Sequence, residues 1–272
     1  KAAVIFLKTA VIFLKTAVTF LKSAVIFSIT QSTFFLTYLI NLTPRVFFLR
    51  LQLHILREIT TFAHNYAAKA MKLILMTKPT YFVEEDKILT SLFDAGLDNL
   101  HLKKPGASPM YAERLLTLLP EDYHGKITVH DHFYLKEEYH LRGIHIDNPA
   151  TAVPAGYRGK VSRTCSDINM LKEMKRQSDY VLLGNIFNSQ TDPLQTSNFN
   201  ANELEEAARR GLIDRHVYAV GGMNTDNIRM ASDLGFGGIV ICGDLWNRFN
   251  IHQQTDYQEL LSHFEKLRKL IG

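Results

Sequence analysis

The chain has 272 residues, 46% of them hydrophobic, with 31 Lys and Arg against 27 Asp and Glu for a formal net charge of +4, and only two cysteines, Cys165 and Cys242. So few cysteines exclude a disulfide framework and fit a reducing cytoplasm. The positive charge is local: residues 1–70 hold eight basic residues and one acid, Glu58, a net +7 that leaves −3 for residues 71–272, so the body of the chain carries no nucleic-acid footprint.

Residues 3–30 repeat nearly the same seven letters four times, AVIFLKTAVIFLKTAVTFLKSAVIFSIT. The period is a heptad, but a coiled coil keeps most positions outside a and d polar, and here nearly every residue between the lysines is apolar. Residues 23–44 are uncharged, long enough for a membrane span and bracketed by Lys22 and Arg45. Gln31, Asn41 and several Ser and Thr oppose a span, so a membrane anchor is the lesser reading. A cleaved secretory signal has one short apolar region, not four separated by lysines. The expectation is that residues 1–70 are a low-complexity repeat leader outside the functional protein, which then starts at Met71, the first methionine.

From Met71 onward, short β-branched or apolar runs alternate with amphipathic stretches, the pattern of βα units around a parallel sheet. The runs predict strands at 72–77, 99–103, 126–130, 143–147, 160–164, 179–184, 216–220 and 238–241. Helices are expected at 84–95, 109–119, 133–139, 168–177, 202–210, 225–234 and 257–270, with Ser108, Asp167 and Asn224 as start signals. Residues 148–159 are Pro- and Gly-rich and too short for a full helix, so one crossover is abbreviated. Eight units in about 200 residues predict a single (β/α)8 TIM barrel preceded by a non-domain hydrophobic leader. A doubly wound open sheet is the competing architecture, because strand count alone does not show closure.

A barrel puts its chemistry at the C-terminal ends of the strands. Two groups of residues fall there with a specific reading. In VGGMNTDNI, Gly221 and Gly222 follow strand seven, and Gly243 follows strand eight; glycines there let backbone N–H groups approach a phosphate, or else only make tight turns. In VHDH and IHID, alternation puts His145 with Asp147, and His130 with His132 if the strand runs that far. Such pairs on adjacent strands offer a transition-metal site, or else some of the histidines are surface or core-satisfied residues, while Asp131 offers the hard oxygen that suits Mg²⁺.

The motif order over residues 71–272 resembles the thiamine-phosphate synthase family, whose members include thiamine phosphate pyrophosphorylases and a thiazole tautomerase branch. The resemblance rests on AGLDNLHLKK, ITVHDHFYLKEEYHLRGIHI, SDYVLLGNIFNSQT, YAVGGMNTDNI and GFGGIVICGDL, and does not extend to the leader. It implies a (β/α)8 barrel enzyme of thiamine biosynthesis that couples a hydroxymethylpyrimidine diphosphate to a thiazole phosphate and releases pyrophosphate with help from Mg²⁺. Carried over by position, it implies catalytic roles for Lys103, Ser162 and His130. Substrate and phosphate contacts fall to His101, Ser189, Thr191, Gly221, Gly222, Cys242 and Gly243, and the metal to Asp131 and Asp147. The chain departs from the family pattern at Lys103, where the family has arginine, at Pro105 and Asp192, where it has lysines, and at His130, where it has asparagine. The second acidic magnesium ligand has no match, leaving Asp147 as a substitute. The tautomerase branch's histidine is Thr164 here, so a proton shuttle would fall to Cys165, His101 or His130. The implied partners are the two small-molecule substrates, with no nucleic acid and no membrane; a homo-oligomer is left open. The alternatives are tautomerisation of a thiazole phosphate carboxylate and a non-catalytic thiazole-phosphate binder.

Overall fold

The computed structural model describes residues 71–190, 194–248 and 255–272. The leader, its candidate span at 23–44, and Thr191 lie outside the described residues. Among those described, no helix is long and apolar enough to cross a membrane.

Eight strands close into one parallel barrel in chain order: β1 Lys72–Met76, β2 Leu100–Leu102, β3 Ile127–Val129, β4 Gly143–Ile146, β5 Lys160–Cys165, β6 Tyr180–Leu183, β7 Val217–Ala219 and β8 Gly238–Ile241. β1 meets β2 with Leu75 beside Leu100 and closes on β8 with Lys72 beside Gly238, which rules out the open sheet. The strands are one or two residues shorter than the apolar runs that predict them, except β5, which reaches Cys165, and β8, which is as expected.

The helices are α1 Glu85–Asp94, α2 Pro109–Leu118, α3 Leu135–Glu138, α4 Leu171–Arg176, α5 Ala201–Arg209, α6 Ile228–Asp233, α7 Gly243–Trp246 and α8 Thr255–Ile271. Two expected start signals act as caps or as the capping position: Asp167 accepts a bond from the Asn169 amide before a 3₁₀ turn, and Ser108 precedes Pro109 at the head of α2. α5 starts on a capping box formed by Asn200 and Glu203, each side chain taking the other's backbone N–H. Asn224 does not start a helix. Its carboxamide accepts from the amides of Asp226 and Asn227, tying off a turn, and α6 begins only at Ile228. Residues 148–159 carry no helix, as expected, and are held by Arg163, whose guanidinium donates to the carbonyls of Pro149 and Thr151.

Alternation along the strands sorts side chains into two layers. Leu75, Leu100, Leu102, Ile127, Val129, Ile144, Ile146, Val181, Leu183 and Ile239 face outward and pack under the helices in the main core. A second, separate cluster of Ile74, Tyr180, Leu182, Tyr218 and Val240, with Met76 and Val220, fills the inside of the barrel from β1 and β6–β8. The inward positions of β2–β5 are different in kind. Asn99, His101, Thr128, His130, His145 and Ser162 are all buried there. The barrel interior is therefore split into an aliphatic arc and a polar arc, with Tyr180 where they meet.

Candidate functional site

Buried polar groups must find partners, and those of the polar arc find one another. Tyr180 Oη is 2.6 Å from His101 Nε2, His101 Nδ1 is 2.9 Å from His130 Nε2, and His130 Nδ1 is 2.9 Å from Asp147 Oδ2. At the inner end, Asn99 Nδ2 donates to Tyr180 Oη and Thr128 Oγ1 to Asn99 Oδ1, both at 3.4 Å. One proton assignment satisfies the whole run. Tyr180 donates to His101, His101 to His130 and His130 to Asp147, so each imidazole is neutral and all the donors point toward the one carboxylate. Burial agrees, because it pushes His101, His130 and His145 below the ordinary histidine value. His145 stacks on His130 with ring centroids 4.2 Å apart, and bonds Ser162 Oγ at 2.8 Å and Thr164 Oγ1 at 2.9 Å.

At the rim the run meets a charge. Lys103 Nζ donates to Asp147 Oδ1 at 2.8 Å, both side chains being about one-third exposed. Burial pushes the Asp147 carboxyl up, but the His130 bond and the Lys103 ammonium outweigh it and hold it well below the usual carboxylate range. The Lys103 backbone is fixed in turn by Thr77, whose hydroxyl accepts from Lys103 N and donates to Lys103 O. Lys104, next along, does not reach the mouth. It is buried against Glu85, with Nζ 2.5 Å from Oε1, and it lies 4.5 Å over the Tyr81 ring.

The other loops bring different groups. Gly221 and Gly222 have φ of 95° and 64°, and a Cβ on Gly222 would come within 2.3 Å of the Asn188 carbonyl, so the glycine pair packs the β7 loop onto the β6 loop. Their amides and that of Gly243 donate to no other described residue; Gly221 and Gly222 are half-buried and Gly243 is buried. Cys242 faces inward beside them, its thiol 3.7 Å from Thr77 O and pushed up to about 11 by burial. Trp246 anchors the start of this segment by donating to Met76 O at 2.7 Å. Ser189 is half-buried in the β6 loop, where its amide donates to Gln195 O.

The sequence-predicted residues thus divide. Lys103, His130, His101, Asp147 and Ser162 are brought together on β2–β5; of these, only Lys103 and Asp147 reach the surface, and Ser162 is covered by His145. Gly221, Gly222, Cys242 and Gly243 come together on β7 and β8, halfway round the barrel from β3 and β4. Asp131 is exposed, makes no hydrogen bond or ion pair with the described residues, and lines a small hollow with Tyr81, Lys104 and His132. The histidine pairing expected at 130 and 132 is not formed. β3 ends at Val129, His132 has a φ of 54°, and its ring turns to the Ala107 carbonyl. His101 takes that place beside His130. Tyr180, Asn99 and Thr128 were not anticipated as site residues; their inward strand parity is the signal that finds them.

The family model for thiamine monophosphate synthase matches residues 84–245, from the head of α1 into α7. The chain belongs to that family. It is 27% identical over 213 residues to the thiamine-phosphate synthase of Picrophilus torridus, covering 75% of this chain and all of that one. It is 25% identical over 169 residues to that of Cronobacter sakazakii, covering 58% and 80% of the two chains. Among solved structures, the thiamine phosphate pyrophosphorylase of Bacteroides thetaiotaomicron is 48% identical, with a TM-score of 0.67 over 74% of this chain and 97% of that one. The thiamine monophosphate synthase family is one of thiamine biosynthesis, and its fold is the barrel described above.

The magnesium implied by the family can be tested against the carboxylates at the mouth. Mg²⁺ is held by one or two carboxylates together with substrate phosphates and water. Asp131 has a free, exposed carboxylate and fits that role. Both oxygens of Asp147 are taken, by Lys103 and by His130.

Proposed function

We propose that this chain is a thiamine-phosphate synthase, joining a hydroxymethylpyrimidine diphosphate to a thiazole phosphate. In that reaction the thiazole nitrogen lone pair forms a C–N bond to the pyrimidine methylene. The methylene C–O bond breaks, and its electrons leave with pyrophosphate; no net proton transfer is required. What the protein must supply is position and charge.

The observation that carries the reading is the division of the mouth into two unlike halves. The unengaged amides of Gly221, Gly222 and Gly243 suit a terminal phosphate and carry no charge of their own. Halfway round, Lys103, Asp131 and Asp147 suit a diphosphate and a developing cation. Lys103 takes diphosphate oxygens as a point charge, without the two-pronged grip of arginine. Asp131, with substrate oxygens, would hold Mg²⁺, which supplies charge neutralisation on the leaving group. Asp147 stays ionised and favours positive charge on the pyrimidine, while the neutral histidines beneath it do not oppose that charge. His130 is a positioning residue here, fixing Asp147 and through it Lys103; Ser162 orients His145.

The tautomerase reading needs a group at the mouth that moves a proton. Cys165 faces away from the mouth, its thiol donating to Asp167 O and raised by burial, and His101 and His130 are covered. No observation favours that reading. The test is turnover: the full chain, incubated with both substrates and Mg²⁺, should form thiamine phosphate and pyrophosphate in equal amounts. Asp131→Ala should lower kcat by about 10²–10³, the usual loss on removing one preorganised charge stabiliser. A chain that is stabilised by thiazole phosphate, but neither binds the diphosphate with Mg²⁺ nor turns over, would be a binder and not a synthase.

A further inference from the structure

We propose that His101, His130 and His145 form a site for a zinc-like divalent cation inside the barrel, separate from the magnesium carboxylate Asp131. One ring nitrogen from each histidine lies within 4.8 Å of those of the other two, and all three residues are buried. They come from three neighbouring strands, β2, β3 and β4, so the fold itself converges them. Zinc bonds imidazole nitrogen at about 2.0–2.1 Å, which sets tetrahedral nitrogens about 3.3 Å apart. His101 Nδ1 and His130 Nε2, at 2.9 Å, need separate by only a few tenths of an ångström.

The surroundings fit as well as the ligands. A metal-bound histidine normally donates its other N–H to a carboxylate, carbonyl or hydroxyl, and this outer contact fixes the ring. His130 already donates Nδ1–H to Asp147 Oδ2 at 2.9 Å. His145 has Ser162 and Thr164 at its two nitrogens, so on binding metal it gives up one hydroxyl and keeps the other as its outer contact. His101 has Tyr180 Oη 2.6 Å from Nε2. With metal on Nδ1, His101 carries its proton on Nε2 and donates to Tyr180. Tyr180 and Asn99 then reverse their donor and acceptor roles, which takes a hydroxyl rotation and an amide flip and leaves the strands unmoved. Each histidine stays neutral, and Asp147 supplies the nearest opposing charge. Three imidazoles with a carboxylate behind one of them suit zinc better than magnesium, whose partners are oxygens.

The site does not rest on the synthase reading, although a bound cation would set positive charge beneath Asp147, and it is tested with zinc alone. The full chain is stripped with chelator, given zinc sulfate and dialysed; metal content, thermal unfolding and, with cobalt in place of zinc, the visible spectrum are then read. The expected result is one zinc retained per chain, a raised Tm, and visible bands from cobalt bound by the three imidazoles and a water. His101→Gln and His145→Gln should each abolish retention, whereas His132→Gln should leave it unchanged, because that ring faces Ala107 O. Asp147→Asn keeps the three ligands and should weaken affinity about 10–100-fold, a result that does not depend on the histidine variants folding. Retention of less than stoichiometric zinc by the wild-type chain, or equal retention by all these variants, overturns the proposal. Magnesium-supported turnover in chelated protein would leave the synthase reading intact whichever way the zinc result falls.

Discussion

Replacing Lys104 with methionine removes the cation from the most enclosed ion pair described in the barrel. The two side chains are 3% and 2% exposed, the nitrogen and oxygen are 2.5 Å apart, and Lys104 also donates to Thr80 O at 3.0 Å. Glu85 Oε2 is buried with no partner, and once Lys104 is gone the carboxylate keeps the Phe82 backbone bond and the attraction of Lys78 but loses its ion pair. Breaking a buried pair from one side costs about 3–5 kcal/mol, whereas replacing both partners by apolar residues of similar size is near neutral. Lys104→Met should therefore lose about 3–5 kcal/mol in urea denaturation at neutral pH, and Glu85→Leu with Lys104→Met should recover most of it. The loss has a pH signature. Burial raises the Glu85 carboxyl above its ordinary value, and Lys104 opposes that rise. Without Lys104, the folded carboxyl binds its proton at higher pH than the unfolded one does, so the variant gains stability as pH falls through the folded value. The deficit should be largest above neutral pH and shrink toward about pH 5. A deficit equal in the single and double variants and constant with pH would refute the reasoning, because the cost would then come from lost packing of the lysine stem.

Three further outcomes follow from the polar arc and the glycine loops. Burial keeps His101 and His145 neutral in the fold, whereas in the unfolded chain they charge below about 6.5; chelated protein should lose about 1.4 kcal/mol per histidine for each pH unit below that value, and a flat urea-stability profile between pH 6.5 and 5.5 would refute their neutrality. Tyr180→Phe leaves His101 Nε2 without its donor and should cost about 1–3 kcal/mol, read by thermal unfolding; an unchanged Tm would show that the hydrogen bond contributes nothing net. Gly222→Ala forces a Cβ against Asn188 O at positive φ and should cost about 1–3 kcal/mol while raising KM for thiazole phosphate; unchanged stability and KM would mean that the loop relaxes freely.

The barrel's eight units were legible because β-branched runs and amphipathic stretches alternate eight times, but closure was not, and only the pairing of β1 with β8 shows it. Strand ends were less legible: Thr77 and His130 still donate backbone bonds to the neighbouring strand, although β1 and β3 end one residue earlier. α7 has four residues, too few to show a period, and Asn224 looks like a helix cap because the same side-chain bond that caps a helix also ties off a turn. Within the site, parity correctly paired His145 with Asp147. It did not pair His101 with Tyr180, since that contact joins β2 to β6 across the barrel and no local spacing encodes it. The destination of Lys104 is likewise not encoded by local spacing. Adjacent residues at a strand end diverge, and only the position of Glu85 shows where the second lysine goes.

The division of the barrel interior bears on how such an enzyme changes over generations. Residues on β2–β5 bond chiefly to one another, and the aliphatic side chains of β1 and β6–β8 pack chiefly among themselves. Replacements at Lys103, His130 or Asp147 therefore leave the hydrophobic filling and the glycine loops in place. On the proposed reading, one half of the mouth can change while the other is kept, so altered specificity need not pass through an unfolded ancestor.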